Sequence, residues 1–130
     1  MKHVVYVYGT LRPGTGPTIQ IPGVMYDLGW FPGVILPGTK GLDDGTYTEG
    51  STFTAERIEV SDERLKGLDR YEGYDPGRPE VSLYIRRPYL DGWVYEYNDT
   101  VHSRPVIESG DWLEYTKEKS GRNSALLTER

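Results

Sequence analysis

The sequence predicts a single β-rich domain of α+β class, whose many short strands form a closed or nearly closed sheet beside one helix. Three observations carry this. Val-, Ile- and Tyr-rich runs are cut short by 16 Gly and 9 Pro, the spacing of an all-around sheet with tight turns. One Asp-Gly pair, Asp91-Gly92, joins two such runs and is the strongest hairpin signal in the chain. Only one segment, from Ser61, has the cap and periodicity of a helix. A chain of 130 residues suits one domain, which at this size buries roughly two thirds of its unfolded surface.

Val4 to Tyr8 forms the first strand, apolar toward both faces and therefore buried on both. Gly23 to Trp30 is read as a second strand, with Phe31-Pro32-Gly33 turning the chain into Val34 to Leu36. Further β structure is expected at Tyr47 to Ala55 and at Arg57 to Val60, and Ser82 to Tyr89 with Trp93 to Tyr97 make the hairpin around Leu90-Asp91-Gly92. The helix starts at Ser61, where a hydroxyl can cap the first amides and Asp62 and Glu63 favour the positive end of the dipole. It is expected to end near Gly73. Asp43-Asp44-Gly45 reads as a solvated turn, and the polar stretch from Lys117 to Arg130 as a frayed helix or disordered end, which leaves residues 1–116 as the domain.

Composition narrows the chemistry. The absence of Cys excludes disulfides, thiolate metal sites and a Cys nucleophile, and two His leave little room for zinc. No metal or cofactor is therefore expected. A net charge of -5 argues against a nucleic-acid surface, which needs a basic stripe. There is no apolar run of membrane-spanning length and no charged-then-apolar leader, so no membrane partner and a cytoplasmic setting are expected. In that setting the Asn98-Asp99-Thr100 sequon is accidental. The oligomeric state is not legible.

Glu72 draws attention by position. Leu65 and Leu68 mark the buried face of the helix, and the same stripe continued by one turn lands on Glu72. Such a carboxylate either turns to solvent or pairs with an Arg, or it is buried at the negative end of the dipole. Burial there raises its pKa into the range of general acid–base catalysis. The loop after the first strand also has competing readings. Thr15 stands where a phosphate-binding P-loop needs Lys, and G-x-G-x-x-G is absent, so neither nucleotide motif fits. What remain are a plain glycine turn and an anion or oxyanion cradle, in which Gly9 admits a ligand to the Thr10 and Leu11 amides.

Tyr8-Gly9-Thr10-Leu11, followed by Arg12-Pro13-Gly14, resembles the "YGxL" loop of the gamma-glutamylcyclotransferase-like (AIG2-like) proteins. "YDLGWFPGV" at 26–34, "LDRYEGY" at 68–74, "SLYIRR" at 82–87, "GWVYEYN" at 92–98 and "SGDW" at 109–112 resemble further family segments in the same order. The resemblance implies a small mixed β-barrel with one or two flanking helices and a cavity at one end. It implies release of an amine or amino acid from a small gamma-glutamyl substrate, with cyclisation of the glutamyl part to 5-oxoproline. The acid–base glutamate then falls on Glu72, and Tyr8, Gly9, Thr10 and Leu11 hold the glutamyl group. Tyr84, like Tyr8, is read either as cavity wall or as core, and Arg86 either as partner of a substrate carboxylate or as a structural salt bridge. Asp69 is read as a structural acceptor; His3 and His102 carry no specific role. The short Arg87 to Trp93 connection leaves the leaving-group pocket undefined, so free gamma-glutamyl amino acids, gamma-glutamyl-ε-lysine and a gamma-glutamylated natural product all remain open. A binding module that uses the same cavity without turnover is the alternative.

Overall fold

A computed structural model describes residues 1–38 and 50–119. The expected turn at Asp43-Asp44-Gly45, the start of the Tyr47 strand and the tail beyond residue 119 lie outside the described residues. Among the described residues seven strands follow in order: β1 (Lys2–Val7), β2 (Thr18–Pro22), β3 (Val24–Asp27), β4 (Pro32–Ile35), β5 (Thr52–Ser61), β6 (Tyr84–Tyr89) and β7 (Gly92–Tyr97). Helix α1 (Asp62–Tyr71) separates β5 from β6, and a second helix, α2, covers residues 112–119. None of the helices among the described residues is long and apolar enough to cross a membrane.

β1 is central, as its two-sided apolar pattern requires. The main sheet runs β2-β5-β1-β7-β6, with β1 antiparallel to β5 and parallel to β7. Alternate β1 residues feed two cores: Val5 and Val7 pack with Leu65, Leu68 and Tyr95, whereas Tyr6 and Tyr8 pack with Ile21, Phe53 and Trp112. The Asp91-Gly92 hairpin forms as expected, pairing Tyr84 with Tyr97 and Tyr89 with Gly92.

The sheet is not closed into a barrel, contrary to the sequence expectation. Among the strands of the described residues, β3 and β4 pair only with each other, Tyr26 also bridging to Val106 outside the strands, although every residue in them is buried. This hairpin enters both cores through side chains, with Val24, Tyr26 and Ile35 on one side and Met25 and Val34 on the other. Packing, not ladder hydrogen bonding, joins it to the sheet: a Cβ added at Gly33 would lie 2.9 Å from Tyr97 Cβ. Among the described residues the outer edges, β2 and β6, stay unjoined.

Three boundaries also differ. The turn expected at 31–33 lies earlier: Leu28 N–H donates to Phe31 O at 3.1 Å, and Gly29, at φ 110°, supplies the left-handed step. β2 was not expected at all; it is a mostly exposed edge strand ended by Pro22. The two strands expected on either side of Glu56 are one continuous β5. Helix α1 agrees closely. Ser61 Oγ accepts from Arg64 N–H at 3.1 Å, and Glu72 is the C-terminal cap residue, with Gly73 at φ 65° beyond it.

Gly92 permits the β1–β7 approach. An added Cβ would lie 2.3 Å from Val4 O and 2.7 Å from Val4 Cβ, and backbone cannot retreat from such a contact without opening the sheet. Gly92→Ala is expected to lower stability by about 1–3 kcal/mol or more, read as a lower urea midpoint; an unchanged midpoint would contradict this packing.

Candidate active site

The C-terminal end of β1, the C-terminus of α1, the Phe31-Pro32 turn and the start of β6 enclose a cavity of about 230 Å³. Its wall contains Tyr8, Gly9, Thr10, Leu11, Glu72 and Tyr84. Six of the seven residues singled out from the sequence thus meet around one space. They arrive by three routes: β1 ends on the 8–11 loop, α1 delivers Glu72 at its C-terminal end, and the hairpin positions Tyr84. Leu65 and Leu68 are buried against the sheet, so the stripe they define carries Glu72 inward.

Glu72 is the group whose electrostatics stand out. Burial pushes its carboxyl up to about 7, because a charge in this wall loses water. Among the described residues no hydrogen bond or ion pair neutralises it. The backbone around it is fixed: Glu72 N–H donates to Leu68 O at 2.8 Å, and Gly73 O accepts from Leu83 N–H at 3.0 Å. The helix end is thereby tied to the chain entering β6.

The tyrosines contribute ring surface more than free hydroxyls. Tyr8 Oη donates to Tyr95 O at 2.7 Å and Tyr84 Oη to Pro32 O at 2.6 Å. Burial raises both phenols far above their ordinary range, so both stay protonated donors. Phe31, Tyr71 and Leu83 form part of the wall while remaining substantially exposed, which places them toward the mouth. There Thr10 Oγ1 lies 3.4 Å from Tyr71 Oη.

Arg86 does not line the cavity. Its guanidinium pairs with Asp69 at 3.3 Å and lies over the Trp93 ring, 4.5 Å from the centroid. Asp69 in turn accepts from Tyr95 Oη at 2.6 Å, and Tyr95 is a wall residue. Asp69 is thus the acceptor expected, and Arg86 stands two contacts away from the space. Tyr95, Tyr6 and Tyr71 are wall residues that sequence reasoning missed. Tyr95 was accessible in principle, since the hairpin register pairs it with Arg86 and puts it on the face of Tyr84.

Fold and site define a small α+β protein with a desolvated carboxylate facing a backbone loop across an aromatic cavity. The family described as gamma-glutamyl cyclotransferase, AIG2-like, matches residues 5–114, and the chain belongs to that family. A Vibrio cholerae serotype O1 protein provisionally named gamma-glutamylcyclotransferase is 29% identical over 132 residues, covering 88% of this chain and 98% of its own. The gamma-glutamylcyclotransferase family protein YtfP of Escherichia coli K12 is 30% identical over 125 residues, covering 87% and 98%. That of Citrobacter rodentium is 27% identical over 122 residues, covering 85% and 95%. No solved structure matches the chain significantly.

The raised carboxyl has a consequence for folding. Glu72 titrates near 7 in the folded protein against 4.5 for an unperturbed Glu, so the folded state holds the extra proton between these values. Its contribution to stability is full below pH 4.5 and is lost as pH rises through 7. Glu72→Gln should therefore match the parent at pH 4 and exceed it at pH 8, by up to about 3 kcal/mol in urea unfolding. Equal stability at both pH values would place the carboxylate in water.

Proposed function

We infer that the chain is a gamma-glutamylcyclotransferase-type enzyme, releasing an amine or amino acid from a gamma-glutamyl compound and forming 5-oxoproline. The observation that carries this reading is an unneutralised carboxylate with a pKa near 7 in the wall shared with the Tyr8 to Leu11 loop. Family membership supports it. A cavity of about 230 Å³ falls below the ~300–1,000 Å³ of drug-sized pockets and suits one glutamyl group.

The substrate supplies its own nucleophile, its α-amino group, which attacks its own γ-carbonyl. Ring closure makes the attack intramolecular, so most of what the protein provides is positioning. Glu72 takes a proton from the attacking amine while a loop amide stabilises the oxyanion. The same carboxyl then gives that proton to the leaving nitrogen, the γ-carbon–nitrogen bond breaks, and 5-oxoproline and the free amine result. A pKa near 7 suits both steps, since acid and base forms are each abundant at neutral pH. Tyr8 and Tyr84 supply ring walls around the glutamyl chain, and the Phe31, Tyr71 and Leu83 side faces the leaving group. Arg86 acts through Asp69 and Tyr95.

The test is 5-oxoproline release from a panel of gamma-glutamyl compounds, with Glu72→Gln expected to lower kcat/KM by about 10²–10⁴-fold. Binding without product would instead favour a small-metabolite binding module in the same cavity. The profile of kcat/KM against pH should show an acidic limb near 7, below which Glu72 is protonated and cannot accept the amine proton. That limb should stay fixed when the substrate's amine pKa is changed, whereas the limb set by the substrate should move. An acidic limb that follows the substrate would remove Glu72 from the role.

A further inference from the structure

The loop that borders the cavity continues into a second, fully occupied anion site. Glu56 projects from the middle of β5 and is 1% exposed. Its carboxylate accepts from Arg12 Nε at 2.7 Å, from Gly14 N–H at 3.0 Å and from Gly16 N–H at 3.3 Å. Arg12 is itself buried, its side chain 6% exposed, and its Nη1 donates to Asp111 Oδ1 at 3.0 Å. Asp111 also caps α2, accepting from Glu114 N–H at 3.1 Å. The main chain of Arg12 closes the turn onto the cavity side through its N–H bond to Gly9 O, at 3.1 Å. The glycine-rich loop is therefore two half-loops. The outer amides bind the chain's own carboxylate; those of Thr10 and Leu11, in the cavity wall, bind no oxygen of the chain among the described residues.

We propose that Arg12 and Glu56 are positioning residues whose buried ion pair fixes the outer half of the loop, so that Gly9 to Leu11 present their backbone to the bound glutamyl group. The proposal rests on the cavity's reading as a glutamyl site. A charge buried in the centre of a sheet is a costly way to hold a turn, because desolvation opposes it and removing either partner strands the other. What it provides is a fixed anchor: two amides and the Arg12 Nε–H converge on one carboxylate from three directions, and the same guanidinium reaches Asp111 through Nη1, leaving the loop little freedom. Burial works against ionisation of Glu56, yet Arg12 and the Gly14 and Gly16 amides outweigh it and hold the carboxyl below its usual range. The clamp is thus charged throughout the pH range in which Glu72 titrates. An oxyanion site made of backbone has no side chain to adjust, and about 1 Å of misplacement can cost roughly 100-fold; the residue that sets its position is then functionally as important as the amide itself.

The experiment compares Arg12→Lys, which keeps the charge but loses the planar fork, and Glu56→Gln, which keeps the shape but loses the charge. Each is assayed well below its melting temperature on a gamma-glutamyl compound that the parent turns over. Expected are a fall in kcat of about 10- to 100-fold, KM changed less than threefold, and an acidic limb still near 7. Amide hydrogen exchange at residue 12, whose N–H is bonded to Gly9 O, should quicken at least tenfold relative to its intrinsic rate while that of α1 is unaltered. A clamp that served stability alone would lower the melting temperature and leave kcat and the residue-12 amide at parental values, which would overturn the proposal. If the parent turns over none of the compounds, the enzymatic reading fails by itself. The exchange measurement then decides: a quickened residue-12 amide sustains the positioning role, and an unchanged one ends it.

Discussion

Strand β1 is the constraint from which the rest of the molecule hangs. It is buried on both faces, so it must lie inside a sheet with neighbours on either side, and those neighbours run in opposite senses. β7, being parallel, brings Tyr95 and Tyr97 to the end where β1 releases Tyr8. β5, being antiparallel, finishes at the other end, with Ser61 opposite Lys2. α1 therefore begins at the far end of the sheet, and to pack Leu65 and Leu68 on it the helix must run back. Ten residues at about 1.5 Å each cover roughly 15 Å, close to the ~20 Å length of a six-residue strand. The helix thus terminates beside the loop that β1 emits, and the Thr10–Tyr71 approach marks the meeting. Glu72 faces the loop because strand sense and helix length leave it nowhere else to be.

Two glutamates show how one residue type acquires opposite characters in one core. Glu56 is fully and Glu72 partly withdrawn from water. Glu56 receives a guanidinium and two amides and is held ionised. Glu72 receives none of these among the described residues, and its carboxyl rises to about 7. Desolvation is common to the two, so the supply of donors decides the outcome. The first carboxylate is a structural anion; the second exchanges protons readily at neutral pH.

What the sequence made legible is what local chemistry determines. The two-sided apolar run of β1, the Ser61 cap and the Asp91-Gly92 turn each act within a few residues, and each is found close to where it was expected. The Leu65–Leu68 stripe even located Glu72, because helical period converts position into direction. The misses share a different cause. Glu56 split one strand into two on paper, since a charge in a strand centre reads as solvent exposure until Arg12, 44 residues away, is known to meet it. β2 is an edge, half exposed and bounded by Pro, so it carries little apolar signal. Closure of the sheet failed because strand count says nothing of which ladders join. Arg86 likewise depends on a long-range choice, between substrate and Asp69.

The cavity's polarity follows from the same accounting of partners. Tyr8 and Tyr84 reach its wall with hydroxyls already bound to main-chain carbonyls, and Tyr95 with its hydroxyl on Asp69. These rings exclude water without offering a free donor. Polar recognition by the described wall then falls chiefly on the Glu72 carboxyl, on Thr10 and on the loop backbone. Backbone recognition requires close approach and tolerates no drift: at Gly9 a Cβ would already lie 3.2 Å from Pro32 Cγ, so the loop is wedged against the turn as well as anchored from behind. Water exclusion raises the carboxyl and strengthens any hydrogen bond the loop makes. One apolar enclosure therefore sets both the proton affinity of the base and the grip of the amides opposite it.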